Sequence, residues 1–546
     1  MNRLILLFSI ALTSFISCNN SENKSDSNES SALNSITEEG FIRTVKDLSS
    51  DEFQGRLPFT EGETKTINYI KEQFLGNGLV PGNGTSFFQE VPLVEITSHP
   101  NNELVFQGKD GKISLKHTED FVMGSRQVKE NIHIKDSELI FAGFGIVAPE
   151  YNWNDYEDLD VKGKTVVVMI NDPGYYDKSL FKGETMTYYG RWTYKFEEAA
   201  RQGATGLLII HDTGAASYGW NVVRSGWNGP QMALLSDDNG ASLTEIEGWI
   251  SAKAAKKMFE LAGVDTNVMT EAKKPGFKAI DLGLKTSADI KNEIKKSTSH
   301  NVIGKLVGTK RPDEVIIYAG HWDHLGIGEA VDGDSIYNGA VDNATGIAAI
   351  IEIAKAFKNA EVPPERTILF IGLTAEEQGL LGSEYYATHP IFPLAKTVAN
   401  INIDAMDPTG ATKDITMIGY GQSELDSYVE DVAKTQNRVV KGDPKPSAGY
   451  FFRSDHFNFA KVGVPAIYAG GGVDFIDQSE EAKNKRAQFE GRYHTQKDEY
   501  DPAYWQLDGI MKDIKLFYEI GYKLSMETTF PKWKEGSEFK EAGEKR

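Results

Sequence analysis

From residue 301 onward, apolar runs of strand length alternate with longer stretches of helical spacing, which restricts this half of the chain to an α/β sheet with helices on both faces. The strand candidates are 314–319, 367–373, 398–403, 415–418 and 466–469, and the helix candidates are 345–357, 379–388, 424–435 and 504–524. Polar residues of metal-ligating type punctuate this alternation: His321, Asp342, Glu377 and Asp404 fall just past a strand or beside a helix start, and His494 lies in a polar loop before the last helix. The carboxyl ends of strands are where open α/β sheets build their sites.

Two imidazoles and three carboxylates make a nitrogen and oxygen set that suits zinc, and the carboxylate excess lets two ions share one bridging Asp. In His321-Trp322-Asp323-His324, Asp323 can accept the hydrogen bond from the free ring nitrogen of His321 and fix its metal-binding tautomer. His324 reads as a structural neighbour. Asp342 opens a helix, where a lone Asp would serve as a cap. Beside His321 the bridging role takes precedence, because a carboxylate shared by ions about 3.5–4 Å apart needs a tight turn to hold it. Glu376 and Glu377 are adjacent on an extended backbone, so their side chains diverge, and one can bind metal while the other handles protons. Asp404 supplies a fourth ligand and His494 completes the set. Asp498 is either a hydrogen-bonding partner of this set or surface charge. Asp332-Gly333-Asp334 lacks the ligand series of a calcium loop and reads as a turn.

The N-terminus carries a different signal. Asn2 and Arg3 precede an apolar run, 4–16, shorter than the roughly 20 residues of a spanning helix and proportioned like a signal-peptide core. It ends in Phe15-Ile16-Ser17-Cys18, which resembles the lipobox of bacterial lipoproteins, with Phe15 where Leu is usual. That resemblance implies export to the cell envelope with a lipid anchor at Cys18; simple secretion is the other outcome. Cys18 is the only cysteine in 546 residues, so no intrachain disulfide can form, and stability rests on buried cores and bound metal. A net charge of −21 argues against nucleic acid as a partner, because a phosphate backbone would be repelled. Contact with a membrane is expected only through the lipid anchor.

The stretch from Glu138 to about Gly263, with Val-Lys-Gly-Lys-Thr-Val-Val-Val at 161–168 and Glu-Glu-Ala-Ala-Arg-Gln-Gly-Ala at 197–204, resembles a protease-associated domain, a small β-rich module inserted into a peptidase. Its aromatic residues, among them Tyr151, Trp153, Tyr188, Tyr189 and Trp192, read as packing. Taken in order, His-Trp-Asp-His at 321–324, Gly-Ala-Val-Asp-Asn-Ala-Thr-Gly at 339–346, Thr-Ala-Glu-Glu-Gln-Gly at 374–379, Asn-Ile-Asp at 402–404 and Tyr-His-Thr at 493–495 resemble the two-zinc aminopeptidases of the superfamily that contains glutamate carboxypeptidase and the transferrin receptor. Phe53-Gln54-Gly55-Arg56 and the Ser454-Asp455-His456 loop are similar to that family too, the latter read as supporting structure.

The resemblance implies a mixed central sheet flanked by helices, the zinc exopeptidase (phosphorylase/hydrolase-like) fold, and peptide substrates. It implies that His321 and Asp404 hold one zinc, Glu377 and His494 hold the other, and Asp342 bridges them. Asp323 then orients His321, Glu376 is the general base, Tyr493 donates to the oxyanion, and the peptide after Asp342 is cis. The domain organisation expected is a signal peptide 1–18, a flexible tether 19–36, a first part of the peptidase domain 37–137, the inserted domain 138–285, the catalytic domain 286–526 and a frayed, charged C-terminal tail 527–546. Two other readings fit the same motifs: a single-zinc relative of glutaminyl cyclase, which retains a reduced ligand set, and a non-catalytic surface binding protein of transferrin-receptor type.

Overall fold

The computed structural model describes residues 31–546 apart from Asp158 and Glu490. The expected signal segment with Cys18, and residues 19–30 of the expected tether, lie outside the described residues. Helix α1, Glu38–Leu48, buries Phe41, Val45 and Leu48 on one face and is capped by Thr37, which accepts the Gly40 N–H. Helix α2, Glu61–Gly76, buries Ile67, Ile70 and Phe74. Four strands of the inserted region follow β1, Phe88–Pro100, and the short β2, Phe121–Gly124. They are β3, Asn131–Phe141, β4, Thr165–Met169, and, after helix α3, Trp192–Arg201, β5, Gly206–His211, and β6, Ile246–Ser251. These four run parallel in that order, and β2 closes the far edge antiparallel to β6.

Strand β7, Ile280–Leu306, joins the two halves of the molecule. It pairs antiparallel with β3 at its start, with β1 along its middle, and through Val302–Leu306 with the catalytic sheet. That sheet comprises β8, Arg311–His321, β9, Arg366–Leu373, β10, Thr397–Asn402, β11, Asp414–Ile418, and β12, Ala466–Gly471. Across it the order is β7-β9-β8-β10-β12-β11, with the short strand Val439–Gly442 parallel beyond β11; β9, β8, β10 and β12 are mutually parallel, and β7 and β11 join them antiparallel. β9 and β10 are buried along their whole length, as expected of strands covered on both faces.

The helices that cover them are α4, Thr345–Lys358, α5, Leu381–Thr388, α6, Leu425–Thr435, α7, His456–Lys461, and α8, Asp508–Met526. Strand alternation divides the core between the two faces. Ile316 and Tyr318 of β8 pack with residues of α4 and α8, while Val315, Ile317 and Ala319 pack with Tyr386 of α5 and Phe459 of α7. α4 is apolar nearly all round because α1, α8 and the sheet enclose it. The mixed α/β architecture is the one the alternation predicts, and the helix and strand positions follow it to within a few residues.

Three expectations about domain limits are corrected. The breaks placed at 138 and 285 fall inside β3 and β7, since strand alternation gives no sign that one strand serves two sheets. Residues 31–36 of the expected tether are docked: Ala32 and Ile36 are buried against the catalytic core, and Ser31 Oγ donates to Asn359 O at 3.1 Å. The C-terminal tail is packed as well. Trp533 and Phe539 are buried, Trp533 Nε1 donates to Gly463 O at 3.0 Å, and Phe539 stacks on Phe451 with ring centroids 5.3 Å apart. The two aromatic anchors are joined by polar ties, Glu538 accepting the Tyr188 N–H and Lys534 donating to Asp426. Trp533→Ala is expected to cost about 3–5 kcal/mol and to lower the midpoint of thermal unfolding followed by circular dichroism; an unchanged midpoint would show that the tail adds nothing to stability.

Candidate metal centre

Each polar residue singled out in the sequence sits at the carboxyl edge of the catalytic sheet or in a loop facing it. β8 ends at His321, whose Nε2 lies 3.1 Å from Asp342 Oδ1, 3.1 Å from Asp404 Oδ1 and 3.9 Å from Glu376 Oε2. Its Nδ1 donates to the backbone carbonyl of Asp323 at 3.1 Å and stands 3.7 Å from that residue's carboxylate. The expectation that the Asp323 carboxylate orients His321 is corrected: the main chain of Asp323 does so. The carboxylate is engaged elsewhere, accepting the N–H groups of Glu376 at 3.0 Å and Glu377 at 3.3 Å, so it fixes the turn that carries both glutamates.

Asp342 lies in the turn between β8 and α4, with a cis peptide to Asn343 as the resemblance implied. Gly339 enters this turn at φ 58°, where any Cβ would strike the His324 ring and the Asp342 carbonyl. Asp498 holds the turn from one side: its carboxylate accepts the N–H of Val341 at 2.9 Å and of Asp342 at 3.1 Å, and its carbonyl accepts that of Ala340 at 3.0 Å. This buried residue is thus a hydrogen-bonding partner of the set and not surface charge. Asn343 ties the turn to β10, accepting the N–H groups of Gly346 and Ala405 and donating to Ile403 O. Gly346 is required where α4 meets β10, because a Cβ there would stand 2.4 Å from Ile403 O.

The oxygens of the three carboxylates are used differently. Asp404 directs Oδ1 at His321 and accepts the Ser454 hydroxyl on Oδ2 at 2.5 Å. Glu377 accepts from His324 Nδ1 on Oε1 at 2.6 Å and directs Oε2 at His494 Nε2, 3.1 Å away. Asp342 alone of the three has neither oxygen taken by a side chain outside the set: Oδ1 faces His321 and Oδ2 faces His494 at 3.1 Å. His494 reaches in from a loop at φ 55°, with the Tyr493 ring stacked on it at 3.9 Å. Tyr493 is 65 % exposed at its ring, yet its hydroxyl feels the site: burial and then Asp342, Glu377, Glu376 and Asp404 push its pKa up.

The charges in this pocket do not balance by themselves. Burial would raise the pKa of Asp342, but hydrogen bonds to His321 and His494 outweigh it and hold the carboxyl down. Burial, with Asp404 and Glu377 adding to it, pushes Glu376 well above the usual carboxylate range although His321 opposes them. Burial likewise raises Asp323 to about 7. Such a concentration of buried carboxylates calls for a cation. The donor geometry fits zinc: atoms each about 2.0 Å from one tetrahedral ion stand about 3.3 Å apart, and His321 Nε2 is 3.1 Å from an oxygen of Asp342 and of Asp404, as His494 Nε2 is from an oxygen of Asp342 and of Glu377.

Several contributors carried little or no signal in the sequence. Arg56, buried and at φ 51°, donates to Trp322 O at 2.8 Å, Leu48 O at 2.7 Å, Asn338 O at 2.6 Å and Gly339 O at 2.8 Å, joining the His321 and Asp342 loops. Burial lowers its pKa to about 10 against the pull of Asp498, Asp323 and Asp342. Tyr468 of β12 stands beside Asn402 in register, and its phenol is pushed well up by burial and then by Asp404, Asp342 and Glu376. Asp455 and His456 are buried behind the site, His456 between Phe451 and Tyr468, with no polar partner on either ring nitrogen.

Comparison with known proteins places this edge in context. Residues 301–518 match the sequence model of Peptidase family M28. Aminopeptidase NAALADL1 of Mus musculus is 32% identical over 146 residues, 25% of this chain and 18% of that protein. Carboxypeptidase Q of Xenopus laevis is 25% identical over 278 residues, 50% of this chain and 48% of that one. A probable zinc metalloprotease of Pyrenophora teres f. teres (strain 0-1) is 32% identical over 190 residues, 33% and 39% of the two chains. The chain therefore spans less than half the length of these curated relatives. Among solved structures, the aminopeptidase from Aneurinibacillus sp. strain AM-1 shares the fold at a TM-score of 0.51 and 18% identity, covering 92% of this chain and 97% of that one.

Replacing Arg56 by Leu takes a donor from four carbonyls, of which Gly339 O keeps the Ala344 N–H at 3.2 Å, and is expected to destabilise the protein by about 3 kcal/mol or more, read from urea unfolding. Arg56→Lys, which restores part of the donation, should recover part of that loss, and equal stability of the two variants would count against the hydrogen bonds as the cause.

Proposed function

Residues 301–518 belong to peptidase family M28, and on that premise we propose that the protein is a zinc-dependent exopeptidase, an aminopeptidase that removes N-terminal residues from peptides with two zinc ions per chain. The observation that carries this reading is the division of Asp342, one oxygen toward His321 and Asp404 and the other toward His494 and Glu377. In the reading, His321 and Asp404 hold one ion, His494 and Glu377 hold the other, and Asp342 serves both. The name of the relative aminopeptidase NAALADL1 supports the N-terminal direction of attack, while that of carboxypeptidase Q names the other end. The reading extends to export through residues 1–18, with a lipid anchor at Cys18, and to a protease-associated character for the inserted region.

Bound zinc supplies a Lewis acid and a means of lowering the pKa of water from 15.7 towards about 7. The rest of the chemistry belongs to the chain. Glu376, held by the contact of its N–H with Asp323, places its carboxylate beside His321 and the metal pocket without being needed as a ligand. It takes a proton from the attacking water and returns it to the leaving amine. Tyr493, stacked on His494, donates its hydroxyl hydrogen to the oxyanion that forms at the scissile carbonyl. Asp323 and Asp498 do not meet substrate; they fix the turns of Glu376 and Asp342.

Glu376→Gln removes the base and leaves the ligands in place, so kcat on aminoacyl and dipeptide substrates should fall by about 10²–10⁴ while zinc content stays at two per chain. Undiminished turnover would overturn the assignment of the base, and one zinc per chain in the active wild type would favour the single-zinc reading.

Zinc loading should also release protons. Burial alone would lower the pKa of both ligand histidines, but Glu376, Asp404 and Asp342 hold His321 well above its usual value, and Asp342 and Glu377 hold His494 at about 10. A raised pKa means a more tightly held proton, which zinc must displace from the ring, so zinc affinity rises with pH. Calorimetric titrations at pH 7 in buffers of different ionisation heat should report protons released on loading; none released would count against both histidines as ligands.

A further inference from the structure

His324 closes the run that His321 opens and is fully buried. Its Nδ1 stands 2.6 Å from Glu377 Oε1, its ring meets that of His494 edge to face at 5.6 Å, and it fills the space that the missing side chain of Gly339 leaves. His324, Asp342 and Glu377 bring their ligand atoms within 4.8 Å of one another, so direct ligation by His324 has to be weighed. Distance decides against it. Two atoms bound to one tetrahedral zinc are about 3.3 Å apart, a separation the His494–Glu377 pair approaches at 3.1 Å, whereas 2.6 Å is the length of a charge-assisted hydrogen bond. The other ring nitrogen, Nε2, is buried with no hydrogen-bond partner, so the ring's polar contact is the one Nδ1 makes with Glu377.

We propose that His324 is a positioning residue for the second ion: by occupying Oε1 of Glu377 it limits that carboxylate to one free oxygen and turns it toward His494. The arrangement mirrors the first half-site, where the Ser454 hydroxyl occupies Asp404 Oδ2 and leaves Oδ1 facing His321. Each terminal carboxylate is therefore pinned at one oxygen by a protein donor. A Glu377 freed from His324 could rotate, engage the ion through both oxygens or leave it, and the cost would fall on one ion only.

This inference rests on the two-ion reading above, and its test separates the two. The metal-free mature protein is titrated with zinc against a chromophoric chelator, in wild type and in His324→Phe, which keeps the ring but not the donor. His324→Asn, which sets an amide N–H near the place of Nδ1, and His324→Leu, which stands in should the Phe variant not fold, complete the set. A single binding step in the wild type would sink the two-ion reading itself. With two steps in the wild type, His324→Phe should weaken one of them by about 10–100-fold and leave the other unchanged, and His324→Asn should restore it. The proposal fails if both steps are unchanged in His324→Phe and His324→Leu, if both weaken together, or if His324→Asn binds no better than His324→Phe. Cobalt(II) absorption of the second site, shifted in His324→Phe and restored in His324→Asn, gives a readout that a loss of general stability would not produce.

Discussion

A buried guanidinium organises the site before any ligand is considered. Arg56 donates to carbonyls at the end of α1, between His321 and Asp323, and just ahead of Asp342. Carbonyl groups in loops are hard to satisfy away from water, and one rigid fork satisfies four of them. Lysine could not, since its donors radiate from a single atom. Asp498 completes the clamp with opposite polarity by accepting the N–H groups that the same turn presents. The turn that carries Asp342 is thus held through its backbone by a cation on the carbonyls of Asn338 and Gly339 and an anion on the amides of Val341 and Asp342, so neither carboxylate oxygen is spent on holding the turn and both face the histidines.

The sheet supplies the other half of the geometry. β8, β9 and β10 are adjacent and parallel, so the residues after their carboxyl ends converge on one edge. Asn343 and Thr345 link the Asp342 turn to the end of β10: Asn343 bonds Ile403 and Ala405, and Thr345 Oγ1 accepts the Met406 N–H while donating to Val341 O. Asp323 does the same between β8 and the turn after β9. Each of these loops is braced by a neighbour, so the candidate ligands Asp342 and Glu377 do not depend on their own segments alone.

The sequence was most legible where one residue type had one job. Alternating apolar runs from 301 gave the mixed sheet, and the ordered motifs brought His321, Asp342, Glu377, Asp404 and His494 to one edge. Less legible were residues whose use depends on which atom turns inward. Asp323 follows His321 at the spacing of a ring partner, but its carbonyl takes that contact and its carboxylate braces the glutamates. His324 looks like any polar neighbour until Glu377 is found beside it. Tyr468 lies in an apolar strand, and only the register of β12 against β10 brings its phenol to the site. The tail from 527 onward is charged on average, and the two aromatic side chains that anchor it, Trp533 and Phe539, are too few to alter that average.

The same packing joins distant parts of the chain to one ligand. Ser454, which pins Asp404, is flanked by Phe451 and Phe452 on one side and Phe457 on the other, and these rings form one apolar cluster with Met186 of the inserted region and Trp533 and Phe539 of the tail. Tyr188 touches Phe452 and Phe457, and its N–H is accepted by Glu538 at 2.9 Å. A hydroxyl keeps its hydrogen bond to a carboxylate oxygen only while its loop stays in place. The inserted region and the C-terminal segment do not need to reach the ligands to affect them, because they close around the loop on which that contact depends. Their association with the catalytic sheet accordingly bears on the contact between Ser454 and Asp404, and so on the side of the proposed centre that His321 and Asp404 would form.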